Sequence, residues 1–240
     1  MRSQSSSLPA APEVTQVDRA YHNIKAGIVE GRYAPGVPLS EVVLAREHGM
    51  SRTPVREGLA RLWQERYLDR VAGHGYFVAR VTVQSIRDTF DVRRLLEGAA
   101  AGCAAVMATA EEIQLLRELA VLPETDALTR RSRIDAPGEY RDAEAANVRF
   151  HLAIASAARN SLAMELIERC LGQVDRFMSL GVNFGDFQSG ATEAHLAIVD
   201  AIALHDAAGA RLRMEEHLDR GSELMKEALL RGQLANVGVQ

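Results

Sequence analysis

Val17, Tyr21, Ile24, Ile28 and Val29 recur at helical spacing, and the stripe ends at Gly31 before Pro35-Gly36. A second, shorter helix is predicted from Glu41 to His48, with Ser40 as N-cap, Val43, Leu44 and His48 on its apolar side, and Gly49 as its left-handed stop. A third begins at Ser51, tolerates Pro54 in its first turn, and carries Val55, Leu59 and Leu62 as its buried stripe. Tyr67 to Val71 and Tyr76 to Val81 then read as two strands around Ala72-Gly73-His74-Gly75. Helix, glycine turn and capped second helix is the order of a helix-turn-helix, and the hairpin adds a two-stranded wing.

From Thr82 onward the period is helical throughout. Helices are predicted near 83–107, 110–130, 137–159, 161–180, 188–206 and 208–231. Their breaks fall at Thr109, Pro123 or Pro137-Gly138, Asn160, Gly181 to Gly185, and His205-Asp206. No strand-like alternation intervenes, so the fold class is mainly α: a winged helix-turn-helix followed by an antiparallel all-α bundle of six or seven helices. The division reads as a disordered leader at 1–14, the winged domain at 15–81, the bundle at 82–232 and a flexible tail at 233–240.

A hydrophobic content of 47% in 240 residues suffices for two packed cores. No apolar run approaches the roughly 20 residues that cross a bilayer. The Ser-, Pro- and Ala-rich start lacks a block of signal-peptide length, which implies a cytoplasmic protein without a membrane partner. Cys103 and Cys170 are isolated in helical patterns, so buried thiols are expected rather than a disulfide framework.

The net charge of −4 conceals an uneven distribution. Residues 13–81 hold 10 Lys and Arg against 8 Asp and Glu, a balance of +2; Arg2 adds +1, leaving −7 for the remainder. The positive charge is concentrated where a polyanion such as double-stranded DNA would bind, and the acidic remainder favours solubility. Arg52, Thr53 and Arg56 flank the Val55 stripe near the start of the third helix, the end that meets base edges and phosphates in a helix-turn-helix. Solvated arginines on an ordinary surface helix are the plainer reading of that segment alone.

Gly31-Arg32-Tyr33-Ala34-Pro35-Gly36, Leu39-Ser40-Glu41, Leu44-Ala45, Ser51 to Glu57, Leu59, Arg61-Leu62 and the Gly73-His74-Gly75 tip together resemble the DNA-binding domain of GntR-family transcription regulators. The resemblance spans roughly residues 15–81. It implies that Arg52 and Arg56 touch DNA, that Ser51, Thr53 and Arg46 lie at the interface near the backbone, and that Gly73, His74 and Gly75 approach the minor groove. Glu65-Arg66-Tyr67 departs from the family's usual Glu-Gly-aliphatic turn, which puts the setting of the wing in doubt.

Histidines carry the bundle's candidate chemistry. Asn147 and His151 project from one helical face, continued by Ile154 and Ala158; His195 leads a stripe with Ile198, Val199 and Ile202; His217 shares one with Met214, Gly221 and Leu224. Each alone suits a hydrogen-bonded core imidazole. Three inward imidazoles on three helices, with an amide beside one, also suit a divalent metal, although spacing alone leaves their convergence open.

Val92-Arg93-Arg94-Leu95-Leu96-Glu97, Asn147-x-x-x-His151, Asn160, His195 and His217 resemble the FadR-type C-terminal domain of the same regulators, the FCD domain, over roughly residues 84–230. Many members of this type bind a metal through an Asp and three His, with a small carboxylate effector completing the coordination. The resemblance makes His151, His195 and His217 ligands and puts Asn147 in the place of the Asp, with Glu144 one turn earlier as a less favoured substitute. Zn, Ni and Mn all suit imidazoles with an amide. Arg93, in an apolar setting with Phe90 and Ala100, either takes the effector carboxylate or pairs internally with Glu97; Arg94 exchanges roles with it if the register shifts by one.

The leading function is a homodimeric regulator, a repressor by default, whose reading helices engage a palindromic operator under control of a small organic acid. A dimeric DNA-binding scaffold with structural histidines is the second reading. A metal-dependent enzyme is the third, weakened because no carboxylate is evidently placed as a general base beside the ligands.

Overall fold

The computed structural model describes residues 14–122, 137–179 and 190–232. The expected leader, the tail, and the breaks at Pro123 and Gly181 to Gly185 lie outside the described residues. The chain divides into two compact units, the first built from residues up to Ile28 and Gly36–Ala79, the second from Val29–Pro35 and Arg80 onward.

The first unit contains α1 (Gln16–Val29), β1 (Pro38–Leu39), α2 (Glu41–Glu47), α3 (Arg52–Gln64), β2 (Leu68–Val71) and β3 (Gly75–Val78). Ser40 caps α2 through the Val43 amide. At the other end, Gly49 adopts φ 61° and the Gly49 and Met50 amides close the helix onto Arg46 and Ala45. Ser51 stands at the N-cap position of α3 in extended backbone, but its hydroxyl makes no capping bond, contrary to the role expected of it.

The α3 exit is a Schellman motif without its usual glycine. Arg66 at φ 62° donates to the Trp63 carbonyl and Tyr67 donates to Leu62, while the buried Leu62 and Tyr67 close the apolar side. This is the backbone reason for the glycine that Arg66 replaces. Gly58 lets α3 lie against α1, since a Cβ there would come within 3.0 Å of the Tyr21 amide nitrogen. Tyr21 also donates to Glu65 at 2.5 Å and lies under the guanidinium of Arg61, which pairs with Glu65, so α1 is tied to the Arg61–Glu65 side of the α3 exit.

The expected hairpin is present as β2 and β3, and a third short strand, β1, joins it. The sheet is antiparallel with order β1-β3-β2, in which Pro38 and Leu39 pair with Phe77 and Tyr76. The third strand is only two residues long, too short to produce an alternating pattern.

The second unit contains α4 (Val83–Met107), α5 (Ala110–Ala120), α6 (Pro137–Ala157), α7 (Ser161–Ser179), α8 (Ala191–Ala203) and α9 (Ala207–Leu230). Capping boxes at Thr82/Ser85 and Thr109/Glu112 start α4 and α5, and Asn160 and Asp206 accept from Ala163 and Gly209 to start α7 and α9. α5 ends at Ala120, and the part of the predicted 110–130 helix beyond Leu122 lies outside the described residues. A Cβ at Gly98 would meet Glu215 at 2.9 Å and one at Gly102 the Ala207 carbonyl at 3.2 Å, so small residues let α4 and α9 pack closely. Phe90, Phe150, Phe177, Ile198 and Met214 belong to the shared core. Contrary to the expectation of two buried thiols, Cys103 is exposed on α4 and Cys170 on α7 is half-buried. No described helix is long and apolar enough to cross a membrane.

Candidate metal centre and nucleic-acid interface

In the first unit, Arg46, Ser51, Arg52, Thr53, Arg56, Gly73, His74 and Gly75 are all exposed. The wing tip turns through Gly73 at φ 76° and Gly75 at φ 91°, while His74 Nδ1 lies 3.1 Å from the Ala72 carbonyl oxygen. Sequence reasoning missed the residue that organises the α3 arginines. Glu41, in the first turn of α2, shares the single Arg56 Nε–H between its two carboxylate oxygens, at 3.0 and 3.1 Å, and its Oε2 also accepts from Arg56 Nη2 at 2.9 Å. Arg52 Nη2 adds a longer contact at 3.4 Å. The Arg56 hydrogen bonds hold the Glu41 carboxyl below its ordinary pKa, and Glu41 raises that of Arg56.

In the second unit the inward stripes of α6, α8 and α9 bring His151, His195 and His217 together, with one ring nitrogen from each lying within 4.8 Å of the others. His195 and His217 approach through their Nε2 atoms at 3.3 Å, and Phe150 stacks on His195 with centroids 4.0 Å apart. His151 and His195 are buried and His217 is half-buried. Asn147 stands one turn before His151 and is half-buried, as is Glu144.

Glu97 braces this cluster from α4. Its Oε1 accepts from Arg93 Nε at 2.6 Å and its Oε2 lies 2.5 Å from His151 Nδ1. Of the two fates left open for Arg93, the internal pair with Glu97 is the one present, and both side chains are fully buried. Arg94 is exposed beside Asp219, and Arg149 is exposed. Burial alone would raise the Glu97 pKa, but the Arg93 guanidinium and His151 outweigh it and lower it to about 2.

Burial lowers all three imidazole pKa values. It dominates at His151 although Glu97 pulls upward; at His195, His151 reinforces it; at His217, His195 and His151 do so. The imidazoles are therefore held neutral at pH 7, the form that ligates metal.

These residues fit a divalent metal. His151 Nε2 is buried without a hydrogen-bond partner among the described residues, while its Nδ1 faces Glu97, the outer-shell arrangement that fixes the tautomer of a ligating histidine. The 3.3 Å between the His195 and His217 Nε2 atoms also matches two nitrogens sharing one metal at about 2.1 Å, which lie about 3 to 3.4 Å apart. Nothing in the spacing of the sequence indicated the Glu97–His151 contact, because it depends on how α4 and α6 cross.

An exposed α3 with its wing, joined in one chain to a separate helical bundle, is the arrangement of a helix-turn-helix DNA-binding protein that carries a second, all-helical domain. Residues 16–78 match the bacterial regulatory proteins of the gntR family, and residues 88–220 match the FCD domain. The chain belongs to this family of FCD-containing GntR transcription regulators. It is 30% identical over 87% of its length to a putative L-lactate dehydrogenase operon regulatory protein of Escherichia coli K12, covering 86% of that protein. It is 26% identical to the HTH-type transcriptional repressor RspR of the same strain, with 91% of each chain covered. Among solved structures, Escherichia coli McbR/YncC shares the fold with a TM-score of 0.68 at 21% identity, covering 90% of this chain and all of that one. The protein is thus a DNA-binding transcription regulator and not an enzyme.

Proposed function

We propose that this regulator is a cytoplasmic homodimer of the FadR type, that it represses transcription from a palindromic operator, and that a small organic acid bound at a metal centre in its bundle controls DNA affinity. The observation that carries this reading is the convergence of three neutral imidazoles, one of them braced by a buried carboxylate.

His151, His195 and His217 would hold the ion, with the Asn147 amide as a neutral fourth donor. The ion, when bound, supplies a Lewis-acidic centre for a carboxylate. Within the set the Arg93 and Glu97 charges cancel and Asn147 adds none, so the positive charge of a divalent ion is left uncompensated. That electrostatic balance favours an anionic effector. Arg93 acts here through its field and through Glu97, since its Nε is already engaged by that carboxylate. Zn, Ni and Mn all satisfy the donor set.

A dimer is supported by α4, where Val92, Leu95, Ala99, Cys103 and Val106 form an exposed strip of small and apolar residues at helical spacing. DNA contact is assigned to Arg46, Ser51, Arg52, Thr53, Arg56 and the Gly73-His74-Gly75 tip, all exposed. Repression is supported by the name of the RspR relative and by the simplicity of promoter occlusion.

The test is metal analysis of the purified protein and of His195→Ala, followed by a thermal-shift screen of small carboxylates with and without added metal. Bound metal lost in the variant, and a metal-dependent shift by an acid that also releases DNA, are the expected results. Equal metal content in both proteins would leave a dimeric scaffold with structural histidines.

A further inference from the structure

We infer that Glu41 is a specificity-determining residue, fixing Arg56 so that its free edge reads guanine in the major groove. The inference rests on α3 being the DNA-reading helix. Arg56 turns its side-on edge, Nε and Nη2, onto the Glu41 carboxylate through contacts of 2.9 to 3.1 Å. A guanidinium has a second, end-on fork formed by Nη1 and the other Nη2 proton. Because the carboxylate occupies one edge, that fork points away from it, and its spacing matches the N7 and O6 acceptors of guanine.

Stability does not account for the pair. The Arg56 side chain is 60% exposed, and solvated ion pairs contribute little to folding. The first turn of α2 favours a carboxylate for its dipole, yet that role requires no arginine. Orientation is what the contact supplies: a long, exposed side chain that would otherwise sample many rotamers is ordered before DNA arrives. Arg52, held by the same carboxylate through one 3.4 Å contact, is fixed less firmly and remains available to the phosphates. The Glu41 carboxylate also repels phosphate, so a duplex that offers Arg56 no guanine gains little from binding.

The test selects binding sequences from a randomised duplex pool with the full-length protein, Glu41→Gln and Arg56→Lys, after circular dichroism shows equal helix content. The wild-type protein is expected to fix a guanine in each half-site, and both variants to lose it. Glu41→Gln should still bind the unselected pool at least as tightly as wild type, while its preference for the selected duplex over its adenine-substituted counterpart falls about tenfold. Retention of the guanine by Glu41→Gln, or an equal weakening on every sequence, overturns the inference alone. A wild-type protein that enriches no sequence overturns the reading of α3 as well.

Discussion

Glu97 Oε2 lies 2.5 Å from His151 Nδ1 while Glu97 Oε1 accepts from Arg93, so one buried carboxylate links a guanidinium on its own helix to an imidazole on another. Removing one charge of a buried pair strands the other, at a cost of about 3 to 5 kcal/mol. Glu97→Gln should therefore destabilise the metal-free bundle and, by releasing the His151 ring, weaken metal binding about 10- to 100-fold. The double variant Arg93→Met/Glu97→Gln removes the stranded charge. It should regain stability in thermal unfolding without regaining affinity in chelator competition. Recovery of both would show that Glu97 serves Arg93 alone.

Acid should loosen the metal-free bundle in two stages. His151, His195 and His217 have folded-state pKa values below the ordinary 6.5, so as pH falls through 6.5 the unfolded chain binds protons that the folded one refuses. Stability then drops by about 1.4 kcal/mol per pH unit for each imidazole still neutral in the fold. Glu97 contributes stability that is fully present above 4.5 and is lost as pH falls toward its folded value of about 2, which steepens the decline below 4.5. Melting temperatures taken from about pH 8 to about pH 4 should trace this profile, with the onset near neutrality. A flat curve down to about pH 5 would mean that the imidazoles are solvated.

Much of this architecture was legible because local chemistry and burial agree along the chain. The predicted limits of α4 coincide with the observed ones, since Thr82 caps its start and a continuous inward stripe runs through Phe90, Arg93 and Ala101. The two-residue β1 carries no period to detect, and Cys103 shows that a small residue in a helical pattern need not face inward. At the candidate site each histidine announced itself by lying on an apolar stripe. Their convergence, the brace from Glu97 and the Glu41 clamp on Arg56 all arise from contacts between separate helices, which spacing within one helix does not encode.

The approach of α1 to α3 depends on Gly58. A Cβ there would lie 3.0 Å from the Tyr21 amide nitrogen, a backbone atom that moves only with its helix. Gly58→Val adds two further methyls to that gap and should destabilise the N-terminal domain by about 1 to 3 kcal/mol. The loss should appear in its unfolding transition, while metal binding by the bundle is unchanged. An unaltered transition would show that α1 shifts freely.

Arg66 offers the opposite experiment. It is exposed and holds φ 62° as the left-handed residue of the α3 exit, a conformation that costs a side-chain-bearing residue about 1 kcal/mol. Its backbone bond to Trp63 and the adjacent Tyr67 to Leu62 bond need no side chain at that position. Arg66→Gly should keep both bonds and relieve the strain, offset in part by the greater freedom of glycine in the unfolded chain. The expected gain is a few tenths of a kcal/mol, up to about 0.5, in the N-terminal transition. Arg66→Ala retains the Cβ and should gain nothing, so the contrast between the two assigns the effect to backbone conformation. Because the wing begins two residues later at Leu68, a DNA titration of Arg66→Gly also tests its setting. Affinity differing only by the loss of one positive charge, seen as a salt dependence that is shallower by no more than about one unit, is the expected outcome.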